Sequence, residues 1–188
     1  IDQGFLQLYC VDSIDEESFY CCWNHPADRV HRHMQYESYL LHEVLPLMWA
    51  KNAHPCVIAH GCSFGAFHAL NLAFRHPQAF HKVTALSGRY DLTLSVENFR
   101  NLLDGHYDEY VYFNNPSHFV PNLSDSYVLD QLRRLDIVLA VGDQDPFLDN
   151  NRQISELLWR KEIWHALHVW QGRAHSPRYW RQMVKLYV

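Results

Sequence analysis

Apolar residues recur along the chain in two rhythms that take turns. Near-continuous apolar runs of strand length occur at Phe5–Val11, Cys56–Ala59, Phe80–Ser87, Ile137–Val141 and Ala166–Trp170. Runs of that kind are expected of strands buried on both faces. Elsewhere apolar positions return every three to four residues, which predicts amphipathic helices. One starts near Pro26, with Val30, Met34, Leu40, Leu41, Val44, Leu45 and Met48 on a single stripe and Pro46 as a late kink or end. Others cover Ala66–Phe74, stopping at His76-Pro77, and the stretch through Ile154, Leu157 and Leu158. The last opens with Ser176 as N-cap and Pro177 in its first turn, and carries Tyr179, Trp180, Met183, Val184 and Tyr187 as its buried stripe. Strands and helices that alternate at this spacing imply right-handed crossovers. The expected fold class is therefore α/β, a mostly parallel sheet with helices on both faces and ligands at the carboxyl ends of its strands.

The alternation fails between about 88 and 135. That stretch is aromatic and irregular, holding Tyr90, Phe99, Tyr107, Tyr110, Tyr112, Phe113, Phe119 and Tyr127, with short helical patterns only near Ser95–Leu103 and Ser126–Leu135. An insertion of this length reads as a lid or pocket wall, or as a packed structural excursion. No repeat or linker divides the 188 residues, so a single domain is expected.

Charge narrows the partners. A net charge of −5 without a basic run leaves no electrostatic footprint for nucleic acid or an anionic membrane surface, and no apolar stretch approaches a membrane span. A small-molecule partner is the expectation, with association of two copies left open. Five cysteines in no disulfide-like spacing, two of them adjacent at Cys21-Cys22, point to reduced thiols and a cytoplasmic setting. The fourteen histidines invite a metal, but His31 and His33 diverge on a helix and His165 and His168 face opposite sides of a strand. No metal or organic cofactor is expected.

The densest chemistry lies at His60-Gly61-Cys62-Ser63-Phe64-Gly65-Ala66, between a predicted strand and a predicted helix. A strand that turns so sharply into a helix calls for small residues beside the apex, and Gly61 and Gly65 meet that need. Ser63 would stand at the apex, with the Phe64 N–H at the positive helix end facing any oxyanion formed there. A serine hydroxyl becomes a competent nucleophile when an imidazole takes its proton and a carboxylate orients that imidazole. Acidic residues follow the Ile137–Val141 strand, and His175 follows the last strand. All three groups would therefore meet at carboxyl strand ends in the order Ser, acid, His.

These segments, His60–Ala66, Gly142-Asp143-Gln144-Asp145-Pro146, and Gly172-Arg173-Ala174-His175 with Tyr179-Trp180 behind it, resemble the α/β-hydrolase superfamily. More narrowly they resemble the esterase group that includes S-formylglutathione hydrolases, feruloyl esterases and mycolyltransferases. The resemblance runs from about Phe5 to the end of the chain. It implies an ester hydrolase acting through an acyl-enzyme, with Ser63 as nucleophile, Asp145 as acid and His175 as base. Members of the group carry the acid three residues after the glycine that ends the strand, which selects Asp145. Asp143 is then expected as a turn or capping residue and Asp149 as a helix N-cap. A small-molecule ester would be the substrate. Acyl transfer to an acceptor other than water, and a non-catalytic ligand-binding member of the fold, are the alternatives. The group also has N-terminal strands, one of whose loops donates the first oxyanion N–H, and nothing here corresponds to them. Ile1–Gly4 reads as the tail of a helix, so the chain is expected to begin partway through the fold.

Overall fold

In the computed structural model, which describes residues 4–188, the regular core is a four-stranded parallel sheet. Its strands are β1 (Ile58–Cys62), β2 (Lys82–Leu86), β3 (Asp136–Gly142) and β4 (Ala166–Trp170), paired in sequence order. Register runs through Ala59↔Val83, Val83↔Ile137 and Leu139↔Leu167. The two-residue period of the pleat assigns the faces. Ala59, Val83, Ala85, Ile137 and Leu139 join the main core, whereas Leu86 and Ala140 face the opposite side. The main core is closed by α2 (Leu45–Lys51), α3 (Phe64–Arg75) and α7 (Leu148–Arg160), and the other side by Met183 of α8 (Pro177–Tyr187). This is the expected helix–sheet–helix sandwich.

The first helical segment runs as α1 (Pro26–Tyr39), a π-turn at Leu40–Val44 and then α2. Pro46 explains the interruption. It has no N–H to give an acceptor in the preceding turn, and the widened turn, closed by Leu45 N–H to the Leu40 carbonyl, absorbs the defect so that the helix continues to Lys51. The predicted stripe is split between two clusters: Val30 and Met34 pack with Phe19, Phe64 and Phe67, while Leu41, Leu45 and Met48 join the main core.

Several expectations need correction. Phe5–Val11 is not a strand: it finds no ladder partner, and Phe5 and Leu8 stand 87% and 60% exposed. The expected helix tail at residues 1–3 lies outside the described residues. Ser95–Leu103 forms no helix; instead Val96 and Phe99 exchange backbone hydrogen bonds of 2.9 Å in a tight reversal. The excursion between β2 and β3 does contain the expected helix, α6 (Ser126–Arg134), together with two that the pattern did not reveal, α4 (Glu109–Phe113) and α5 (Pro116–Asn122). Part of it is core, since Tyr90, Leu92, Leu103, Val111 and Val120 are sealed from solvent, while Tyr107, Phe113 and Tyr127 stand exposed. Ser176 precedes α8 but makes no side-chain cap. Asp149 is not an N-cap either: Phe147 holds that position, and the Asp149 side chain is 95% exposed in the first turn of α7. Among the described residues, no helix is long and apolar enough to cross a membrane.

Candidate active site

The end of β1 delivers Ser63 in a backbone conformation that L-residues rarely adopt, φ 56° and ψ −119°. Two things hold it there. The Ser63 N–H donates to the Leu86 carbonyl at the end of β2, 2.8 Å away, and α3 begins at the next residue. Gly61 is required by close approach, because a Cβ there would lie 2.0 Å from the Gly65 carbonyl oxygen. Gly65 is not required in that way. A Cβ built on it meets nothing within 4 Å, so the two glycines act differently, one yielding space and the other supplying the backbone that fills it.

β3 and β4 supply the other two groups. His175 Nε2 lies 2.9 Å from Ser63 Oγ, and its Nδ1 lies 2.9 Å from Asp145 Oδ2. Ionised Asp145 can only accept, so Nδ1 carries the proton and Nε2 is left to accept from the serine hydroxyl. The Asp145 side chain is fully buried, and its second oxygen accepts the Phe147 N–H at 2.9 Å, which leaves neither oxygen unmatched. The structure thus brings Ser63, His175 and Asp145 into one hydrogen-bonded line, and leaves the other two aspartates of the loop outside it. Asp143 serves the loops instead. Its Oδ1 accepts the Gly172 N–H at 2.7 Å, and Gln144 N–H donates to the Gly172 carbonyl at 3.1 Å, locking the β3 loop to the loop that carries His175.

The Phe64 N–H is the first of α3 and has no intrahelical acceptor, which leaves it free to meet a developing oxyanion beside Ser63. The Phe64 ring packs in a cluster with Tyr20 at 4.9 Å and Phe67 at 5.1 Å between centroids. Cys62 precedes the serine, but burial pushes its thiol up to about 11, so it stays protonated and does not compete as a nucleophile.

The sequence pattern names Trp180 behind His175 and Phe99 in the irregular stretch, but it places neither against the imidazole and does not name Phe147. Trp180 from α8 lies 5.4 Å away edge-on and donates its indole N–H to Ser87 Oγ at 3.2 Å. Phe99 and Phe147 approach to 6.3 Å and 6.4 Å. Of the long excursion, then, residues 94–101 are the part that reaches the imidazole, tethered to its loop by the Glu97–Arg173 ion pair at 2.8 Å. The one available signal was position: Arg89 and Phe147 each lie a few residues beyond a strand's carboxyl end. A groove of about 400 Å³ beside Glu17, Trp23, Asp28 and Arg32 is lined by none of the site residues. Among the described residues, no cluster of His, Cys, Asp or Glu side chains is built to hold a metal ion.

A model of the family described as "Putative esterase" matches residues 8–184. Among solved structures, a ferulic acid esterase is 22% identical with a TM-score of 0.64, over 80% of this chain and 58% of that one. An S-formylglutathione hydrolase from Staphylococcus aureus is 19% identical with a TM-score of 0.53, over 83% and 61%. Another, from Agrobacterium tumefaciens, is 16% identical with a TM-score of 0.58, over 79% and 55%. The chain spans less than two thirds of the length of each, and at these identities the likeness is one of fold. Curated proteins provide no match.

Proposed function

Because the chain belongs to the "Putative esterase" family, we propose that it cleaves small-molecule carboxylic esters through an acyl-enzyme carried on Ser63. His175 Nε2 takes the hydroxyl proton as Ser63 Oγ bonds to the ester carbonyl carbon, and the negative charge that develops on the carbonyl oxygen meets the Phe64 N–H. The tetrahedral adduct collapses by breaking the bond to the alcohol oxygen, which leaves with the proton that His175 gives back. Water then repeats the sequence on the acyl-enzyme and releases the carboxylic acid. Asp145 holds the imidazole tautomer throughout and stabilises its transient cation.

What carries this reading is the pair of 2.9 Å contacts that joins Ser63, His175 and Asp145 across three strand ends. Geometry of this kind is recognised by its roles and not by residue position. The test is a panel of 4-nitrophenyl and thioester substrates, together with labelling by a fluorophosphonate, comparing the wild type with Ser63→Ala. Labelling at Ser63 and a loss of turnover on the order of 10⁶ in the variant are expected. Substantial turnover by Ser63→Ala, or a labelled residue other than Ser63, would refute the assignment.

A further inference from the structure

Arg89 lies three residues beyond β2, the strand between those that deliver Ser63 and Asp145. It is only 5% exposed, yet it ends in a cation that cannot be discharged. Backbone carbonyls account for part of it. Nε donates to Asp91 at 3.2 Å, and Nη2 faces the carbonyls of Leu92, Leu94 and Arg100 at 3.1, 2.5 and 2.8 Å. These contacts hold the strap that brings Phe99 toward His175. They leave Nη1 without an acceptor and the charge without a carboxylate in ion-pair range among the described residues. The fully enclosed, unpartnered side-chain atoms belong to His33, His68, Asn71, Tyr90 and Asn151, so Nη1 is unpartnered but open to solvent.

The position of that free nitrogen matters. The guanidinium carbon sits 5.6 Å over the ring of Phe147, the residue whose N–H is held by Asp145 and whose ring neighbours His175. The charge also acts on the phenol of Tyr20, which packs against the Phe64 ring. Arg89 thus lies against Phe147, the residue that is bonded to Asp145 and neighbours His175. Burial works against the charge more than the nearby Asp91 carboxylate supports it, and an anion reaching the free Nη1 would offset that cost with a charge-assisted hydrogen bond.

We infer that Arg89 is a specificity-determining residue, and that the substrates are esters bearing a carboxylate, which pairs with Nη1 while the ester carbonyl lies at Ser63. The inference rests on the ester hydrolysis proposed above. It is tested with two 4-nitrophenyl esters of adipic acid, one with its far end a free carboxylate and the other with that end a neutral primary amide of the same size. Taking the ratio of kcat/KM for the two within each protein cancels any general loss of activity. The wild type is expected to favour the carboxylate at least tenfold, and Arg89→Gln to bring the ratio to about one. A wild-type ratio near one, with the amide ester still hydrolysed, overturns the inference and leaves ester hydrolysis standing. A preference that persists in Arg89→Gln assigns it to another cation and also overturns the inference. If neither ester is hydrolysed and Ser63 is not labelled by a fluorophosphonate, the underlying hydrolase reading fails, and this inference with it. Thermal unfolding reports whether Arg89→Gln folds. If it does not, Arg89→Lys decides, because it keeps the charge but lacks the planar fork: a fall in the ratio of at least threefold is expected, and an unchanged ratio overturns the assignment.

Discussion

Adding one methyl group at Gly142, the last residue of β3, should damage turnover without touching any of the three site residues. A Cβ there would lie 2.2 Å from the Arg173 carbonyl oxygen and 2.3 Å from that of Gly172. Ordinary contact begins near 3.4 Å, so the loop from Gln171 to His175 must retreat by roughly 1 Å. It has little room to do so. Gly172 is tied to Asp143 and Gln144, and Ala174 is buried against Leu86, Ala140 and Met183. Overpacking of this kind costs about 1–3 kcal/mol, and in a domain of this size each kcal/mol lowers the unfolding midpoint by about 2–4 °C. A displacement of about 1 Å at a catalytic group costs about 10² in rate. The assay is kcat/KM on a 4-nitrophenyl ester with thermal unfolding recorded in parallel, and Gly65→Ala serves as the stability control because its Cβ meets nothing. The control should melt at or above the wild-type temperature, since alanine is the better helix former. Wild-type turnover and an unchanged midpoint in Gly142→Ala would show that the His175 loop is not held against β3 as described.

Asp143, Asp145 and Asp149 should separate in a kinetic comparison. Asp145→Asn loses on the order of 10⁴ in kcat, Asp143→Ala about tenfold through the slackened His175 loop, and Asp149→Ala nothing measurable; a crippling Asp143→Ala would reverse the assignment. Stability should also fall as pH drops below the ordinary histidine range. Burial holds His33 well below its usual value of 6.5 and lowers His165, which sits between Ser155 and the Ile163 carbonyl. The unfolded chain therefore binds protons that the folded chain refuses. Between pH 6.5 and the depressed folded values each such group removes about 1.4 kcal/mol per pH unit. An unfolding midpoint that stays flat from pH 7 to pH 5 would count against both residues being buried and neutral.

The sheet was readable because β2 and β3 are sealed on both faces, and their apolar runs record that directly. Phe5–Val11 carries the same signature and is not a strand, because a run of apolar residues states a preference while pairing needs a neighbour, which no local pattern encodes. α4 and α5 escaped notice because each spans under two turns, too short for a period to emerge. Ser63 and His175 were legible from the elbow and from their places after strands. Asp145 needed the family pattern, and its burial with both oxygens occupied agrees with that choice. Arg89 was invisible as a site residue. Nothing near it in the chain says that carbonyls from Asp91 to Arg100 would wrap its guanidinium and leave one nitrogen over.

Three backbone positions around the site share an unusual trait: Ser63, Ser87 and Ala174 have φ values of 56°, 55° and 50°, although none is glycine. Each such residue carries a penalty of roughly 1–2 kcal/mol that the surrounding hydrogen bonds and packing must outweigh. They close β1, close β2 and precede His175, so the least comfortable backbone in these loops lies where the chemistry is assembled. If the proposed chemistry runs at Ser63, thermostability and turnover pull against each other at Ser87 and Ala174. Selection for heat resistance alone would favour glycine at Ser87 and Ala174, widening the range of positions open to the imidazole, and a descendant released from catalysis would be free to make those changes first.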